Sequence, residues 1–107
     1  MVPKGIENAD TIIAACRLAL SGLDAMEPES KEILQSVIEI LEDMKPKFFL
    51  KTNLAIPATN APRKDAEELR SLVEKHDLAR FPEVLARLQS SMEELLKQAK
   101  MEGIIIT

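Results

Sequence analysis

The chain has 107 residues, of which 46% are hydrophobic and 30% charged, and this balance excludes an intrinsically disordered protein and fits one globular domain. A formal net charge of −4 argues against a nucleic-acid binder, whose affinity comes largely from neutralising phosphates. Its one cysteine excludes an internal disulfide framework and favours the cytoplasm. With no secretory signal pattern and no apolar run of about 18 residues, neither secretion nor a membrane partner is expected.

The first predicted helix covers residues 9–26, with Asn8 or Asp10 as its N-terminal cap. Apolar side chains recur along it at three- and four-residue spacing, which is typical of one helical face. A second helix is predicted over 28–45, beginning at Pro28 and interrupted by Pro46. Its apolar residues span a wide arc of about 160°.

Prolines and polar residues between 47 and 62 predict a long loop after the second helix. Because structureless loops of this length are uncommon inside compact domains, we expect it either to pack through Phe48 and its apolar neighbours or to have a function. The third and fourth helices are predicted over 62–76 and 82–102, and the short apolar tail 104–107 should pack on the helices or pair as a strand. The prediction is an all-α fold, an up-down four-helix bundle of a single domain.

The first predicted helix carries more apolar and small residues than one bundle face requires. Beyond its main stripe it presents a second surface formed by Ala14, Leu18, Gly22 and Ala25. One interpretation is that the 47–62 segment or the tail covers this surface. The other is that it binds a protein partner, possibly a second copy of the chain in a homodimer, because exposed apolar patches usually mark interaction sites.

The one basic stretch of the sequence coincides with the predicted loop. Residues 47–64 contain four basic side chains and no acidic one, namely Lys47, Lys51, Arg63 and Lys64. Cations near the start of a helix favour anions, so these residues are candidates for binding an acidic partner segment or an anionic group. The alternative is a solvated loop whose aromatic residues are buried in the core.

The residues available for chemistry are few. His76 is the only histidine and is predicted to lie on the apolar arc of the third helix, packing its ring and bonding a free carbonyl group. Cys16 lies on the main stripe of the first helix and is predicted to be a small buried apolar residue. Neither zinc nor di-iron ligand spacing is present, and three glycines cannot form a phosphate-binding loop. We therefore expect no metal, no cofactor and no enzymatic activity.

These observations favour a non-enzymatic helical interaction module, acting as a subunit, adaptor or assembly factor and self-associating through its first helix. The alternative is a protein that binds a small apolar or anionic ligand between the second and third helices, beneath the 47–62 segment.

Overall fold

The computed structural model describes residues 4–23, 26–49 and 54–103, and all the regular structure in these ranges is helical. These ranges contain four long helices, α1 (Lys4–Gly22), α2 (Pro28–Met44), α4 (Asn60–Lys75) and α5 (Phe81–Met101). A 3-10 segment (Lys45–Phe49) and a short helix, α3 (Ala55–Ala58), lie between α2 and α4. The predicted all-α class is confirmed.

Helix α1 begins at Lys4, earlier than predicted. The sequence there gives little helix signal because Gly5 is a poor helix former. Tertiary packing explains the difference: a Cβ atom at position 5 would lie only 2.9 Å from Cγ of Phe48, so glycine permits the close approach of this aromatic ring. Because the helix starts early, Asn8 is fully buried in its second turn and is not the predicted cap.

The predicted long loop is wrong in its described part, which is mostly helical and contributes to the core. Phe48 is buried, in agreement with the expectation that the segment packs through its apolar residues. Helix α3 is attached to the end of α5 by Glu102, whose carboxylate oxygens accept hydrogen bonds from the backbone N–H groups of Leu54 and Ala55 at 2.5 and 2.9 Å.

The packing order of the long helices differs from the order in the sequence. Helix α1 packs along both α2 and α4, α4 packs along α5, and α2 and α5 make a much smaller contact. Helices α2 and α4, although consecutive long helices, are not packing neighbours. The order around the bundle is therefore α2, α1, α4, α5.

Side-chain contacts give the relative directions of the helices. Asn8 bonds Thr59, next to the first residue of α4, and Gly22 lies beside Val73 near the end of α4, so α1 and α4 are parallel. An ion pair of 2.5 Å joins Asp10, near the start of α1, to Lys45, immediately after α2, which makes these two helices antiparallel.

Helices α4 and α5 are also antiparallel, because Ser91 donates to Asp65 at 2.5 Å while Arg87 pairs with Glu68. A simple up-down bundle has antiparallel neighbours throughout, so the parallel contact of α1 with α4 departs from that order and the predicted topology is not confirmed. The end of α2 and the start of α4 both lie near the start of α1 but on opposite sides of it, so the 45–59 connection joins two diagonal helices at one end of the bundle. The predicted apolar tail, 104–107, lies outside the described residues.

Candidate functional site

Helices α1 and α4 meet along a stripe of small and polar residues, here called the closed seam. Asn8, Ala15 and Gly22 follow each other at seven-residue spacing on α1, and all three lie against α4 or the turn before it. Short side chains allow two helix backbones to approach closely, and a seven-residue repeat keeps one face of a helix towards a parallel partner.

A buried polar network fixes the position of α1 on α4. The Nδ2 atom of Asn8 donates to Oγ1 of Thr59 at 2.7 Å and to Oδ1 of Asn60 at 3.2 Å, and Nη1 of Arg63 donates to Oδ1 of Asn8 at 3.0 Å. The Thr59 hydroxyl in turn donates to the carbonyl oxygen of Ile56 at 2.6 Å. Asn8 and Thr59 are both fully buried, so each bond replaces one that water would otherwise make.

The predicted partner surface on α1 is only partly apolar. Ala14 and Gly22 are exposed and Leu18 is half-buried, whereas Ala25 lies outside the described residues. The same face carries two exposed acids: Glu7, which precedes the predicted start of the helix, and Asp10, which was predicted only as a possible cap. With these acids and two polar residues, Arg17 and Ser21, the outer face of α1 is mixed in character.

The basic residues predicted to bind an anion are divided between two elements in the described part of the chain. Lys47 is exposed on the 3-10 segment, which packs on α1 and α2, while Arg63 and Lys64 belong to α4. The Arg63 guanidinium is already engaged by Asn8 and by Glu67, whose carboxylate lies 2.8 Å away. Lys51 lies outside the described residues. None of these contacts brings the cations together into one site.

An open groove runs along the small contact between α2 and α5 and has a volume of about 370 Å³. Val37 and Met92 are buried in it, and three further apolar side chains remain half-exposed along it: Ile33, Ile40 and Leu96. Its rim is polar and acidic, with Ser36, Gln89, Glu29, Glu32 and Glu93 all exposed. Sequence reasoning missed this groove, although the wide apolar arc of α2 was a signal that two neighbouring helices would not cover it.

A second opening, here called the end cleft, lies where α1 and α4 end and α2 and α5 begin. It has a volume of about 500 Å³ and apolar walls that include Leu23, Met26, Leu78 and Phe81, with His76 at its edge. The sequence predicted a ligand site between the second and third helices instead. That site stays a prediction, and the structure shows that α2 and α4 lie diagonally across the bundle and do not pack against each other.

His76 does not occupy the predicted apolar arc. Its backbone is left-handed, with φ of 54°, and its exposed side chain projects from the point where α4 ends. The carbonyl groups at the helix end are bonded by backbone instead, since the His76 N–H donates to Val73 and the Asp77 N–H donates to Leu72 at 2.9 Å. This left-handed helix ending is usually made by glycine, because a side chain at positive φ is strained.

Cys16 is fully buried, as predicted, and burial raises the pKa of its thiol to about 12. A thiol in this environment stays protonated at neutral pH and is a poor nucleophile. Among the described residues, no three side chains of the His, Cys, Asp or Glu type are grouped closely enough to hold a metal ion. None of the described helices combines the length and apolar character that a membrane-spanning segment needs.

Comparisons with protein-family models, with curated proteins and with solved structures found no match for this chain.

Proposed function

We propose that this chain is a non-enzymatic, cytoplasmic interaction module that acts as a subunit, adaptor or assembly factor. The observation that supports this best is the incomplete contact between α2 and α5, which leaves a line of branched apolar side chains open to solvent. Burying apolar surface is the main driving force of association, and such surface on a small protein is commonly an interaction site.

Self-association through α1 is one form of this function. The exposed Ala14 lies beside the half-buried Leu18, so another backbone could approach this part of the face closely, whereas Gly22 is turned towards Val73 of α4. The acids Glu7 and Asp10 on the same face restrict the apolar area, so the association should depend strongly on the Leu18 side chain.

Sedimentation equilibrium tests self-association directly. The wild-type protein should be a dimer at tens of micromolar, and Leu18→Glu should be a monomer, because a charge placed in an apolar contact is costly to desolvate. The matched control is Met101→Glu, which changes an exposed apolar residue on α5, a helix that does not pack along α1, and should leave the dimer intact. A monomeric wild-type protein would contradict self-association and leave only a different protein as partner.

A second candidate function, binding of a small apolar ligand, is favoured by the end cleft. Its volume and apolar walls are in the range of small-molecule sites. Native mass spectrometry of the purified protein would test it: a retained mass of a few hundred daltons supports a ligand, and its loss in Phe81→Ala would assign the ligand to the cleft. A wild-type spectrum of bare protein would contradict this candidate.

A further inference from the structure

We propose that the α2/α5 groove binds an amphipathic helix of a partner protein, one with an apolar stripe flanked by lysine or arginine. This inference rests on the proposed function as an interaction module and names the surface and the chemistry of its partner. Both the surface and the partner differ from those of self-association through α1.

The floor of the groove is the first argument. It is formed by side chains from both helices, with Val37 and Met92 at its base and the half-exposed Ile33, Ile40 and Leu96 along its length. An apolar floor between two helices is the usual receptor for the apolar face of a third helix. Such a helix would cover the surface that α2 and α5 leave open.

The dimensions of the groove agree with this occupant. Along α2 it extends from Glu29 to Ile40, which corresponds to roughly 16 Å at the rise of an α-helix. A bound helix of about three turns would span it and place its apolar residues at three- and four-residue spacing on the floor.

The charge of the rim selects a basic partner. Three glutamates, Glu29, Glu32 and Glu93, are exposed around the groove. Within the ranges that the structure describes, none of these three glutamates forms an ion pair. Lys97 lies one turn beyond Glu93 on α5 but is not paired with it. The carboxylates are therefore available to lysine or arginine side chains of a partner.

The same charges disfavour the outer face of α1 in a second copy as the occupant. That face carries Glu7 and Asp10 beside its apolar residues, so docking it into the groove would bring like charges together. Like charges facing each other across an interface suppress binding, and a helix of opposite charge is steered towards the groove.

The test uses the full-length protein and synthetic helices. A fluorescein-labelled peptide of about four turns carries leucines on one stripe and lysines elsewhere, and a side-chain lactam keeps it helical. The control peptides replace every lysine by glutamate, or keep the composition and scramble the stripe. Fluorescence anisotropy should show binding of the lysine peptide, at least about tenfold weaker binding of both controls, and weakening as salt rises from 50 to 500 mM, since salt screens rim charges.

Two charge-reversal variants separate the groove from the overall acidity of the protein. The groove variant is Glu29→Lys, Glu32→Lys and Glu93→Lys. The control, Glu7→Lys, Glu83→Lys and Glu94→Lys, changes the net charge equally at exposed positions outside the groove. The groove variant should bind the lysine peptide about tenfold or more weakly, and the control should stay within about threefold of wild type at 0.15 M salt, because the screening length is then about 8 Å.

Ile33→Ala tests the floor separately from the charges. It should weaken the lysine peptide about fivefold, since a half-exposed apolar side chain loses part of its contact area, and Leu78→Ala outside the groove should have no effect. Circular dichroism melts check that the variants fold.

Equal loss of binding in both charge-reversal variants would overturn the inference, as would equal binding of the lysine and glutamate peptides. If either occurs while Leu18→Glu still dissociates a wild-type dimer, the groove assignment fails and the interaction function stands. If the wild-type protein is a monomer but binds the lysine peptide through the groove, self-association through α1 fails and the groove assignment stands.

Discussion

Two pairs of helices in this bundle run parallel, α1 with α4 and α2 with α5, and the first pair is packed much more closely than the second. Starting from Asn8, the closed seam of α1 and α4 uses short side chains and a buried polar network. These two helices pack along their length much more extensively than α2 and α5 do, although an opening of about 350 Å³ lies at the solvent side of the seam beside Ala15. Between α2 and α5 the facing residues are long or branched, such as Ile33 and Leu96, and the groove between these helices stays open. Side-chain size at the contact decides how closely two helices approach, so a more apolar pair of faces can be the less tightly packed one.

The largest loss of stability should come from breaking the hydrogen-bond network of the closed seam. Asn8→Ala removes two hydrogen bonds donated by Asn8 and one accepted from Arg63, all in or beside the core. At about 1 kcal/mol for each bond, the free energy of unfolding should fall by roughly 2–3 kcal/mol. For a domain of this size, the Tm should fall by roughly 10 °C or more, as measured by circular dichroism.

The control for Asn8→Ala lies in the same network. Asn60→Ala removes only the longest of the bonds to Asn8, at 3.2 Å, from an exposed residue, and should change the free energy of unfolding by at most about 0.5 kcal/mol. Equal effects of the two substitutions would mean that the buried network does not determine how α1 packs on α4.

The next largest change in stability should come from placing a leucine on the buried face of α1, compared with a leucine at the edge of the α2/α5 groove. Ala19 is fully buried on α1 and lines none of the openings described above, so Ala19→Leu should destabilise the protein by about 2 kcal/mol through overpacking. Ser36 is exposed at the edge of the open groove, so Ser36→Leu should be neutral or stabilise the protein by up to about 1 kcal/mol, because it adds apolar contact where space exists. Urea unfolding measures both changes, and destabilisation by Ser36→Leu as large as that by Ala19→Leu would contradict the distinction between the buried face of α1 and the open α2/α5 groove.

The elements of this fold could be predicted from the sequence because their signals are local. Pro28 stands at the start of α2 and Pro82 in the first turn of α5, as expected of prolines that open helices. The burial of Cys16 and Phe48 follows from the spacing of apolar residues around them. The start of α1 could not be predicted in this way, because Gly5 is favourable there only through its contact with Phe48.

The order of the helices and the position of the open groove could not be predicted, because both depend on contacts between distant parts of the chain. Asn8 and Thr59 are 51 residues apart, and a polar residue in that position reads locally as a helix cap. The seven-residue spacing of Asn8, Ala15 and Gly22 is a recognisable signal for a closely packed parallel partner, but it does not name the partner helix. The Arg63 side chain likewise resembles a free cation until its bonds to Asn8 and Glu67 are known.

Cys16, which follows Ala15 on α1, should produce the smallest change in stability. Its buried thiol tests how tightly α1 is packed. Burial raises the pKa of its thiol from 9.0 to about 12, so between these values the unfolded chain loses the thiol proton while the folded chain keeps it. The stability that this thiol contributes is therefore intact below pH 9 and is lost as the pH rises towards 12. Between pH 9 and 10 the loss should be about 1 kcal/mol.

Urea unfolding of wild type and Cys16→Ala at pH 8, 9 and 10 measures this loss. The alanine variant should be less stable at pH 8, because a buried side chain is truncated, but its stability should fall less steeply with pH. Titrating lysines affect both proteins alike, so the difference between the two slopes isolates the thiol. Parallel slopes would mean that water reaches the thiol in the folded protein, and the contrast between a tightly packed α1 and an open α2/α5 groove would then be weaker than the structure indicates.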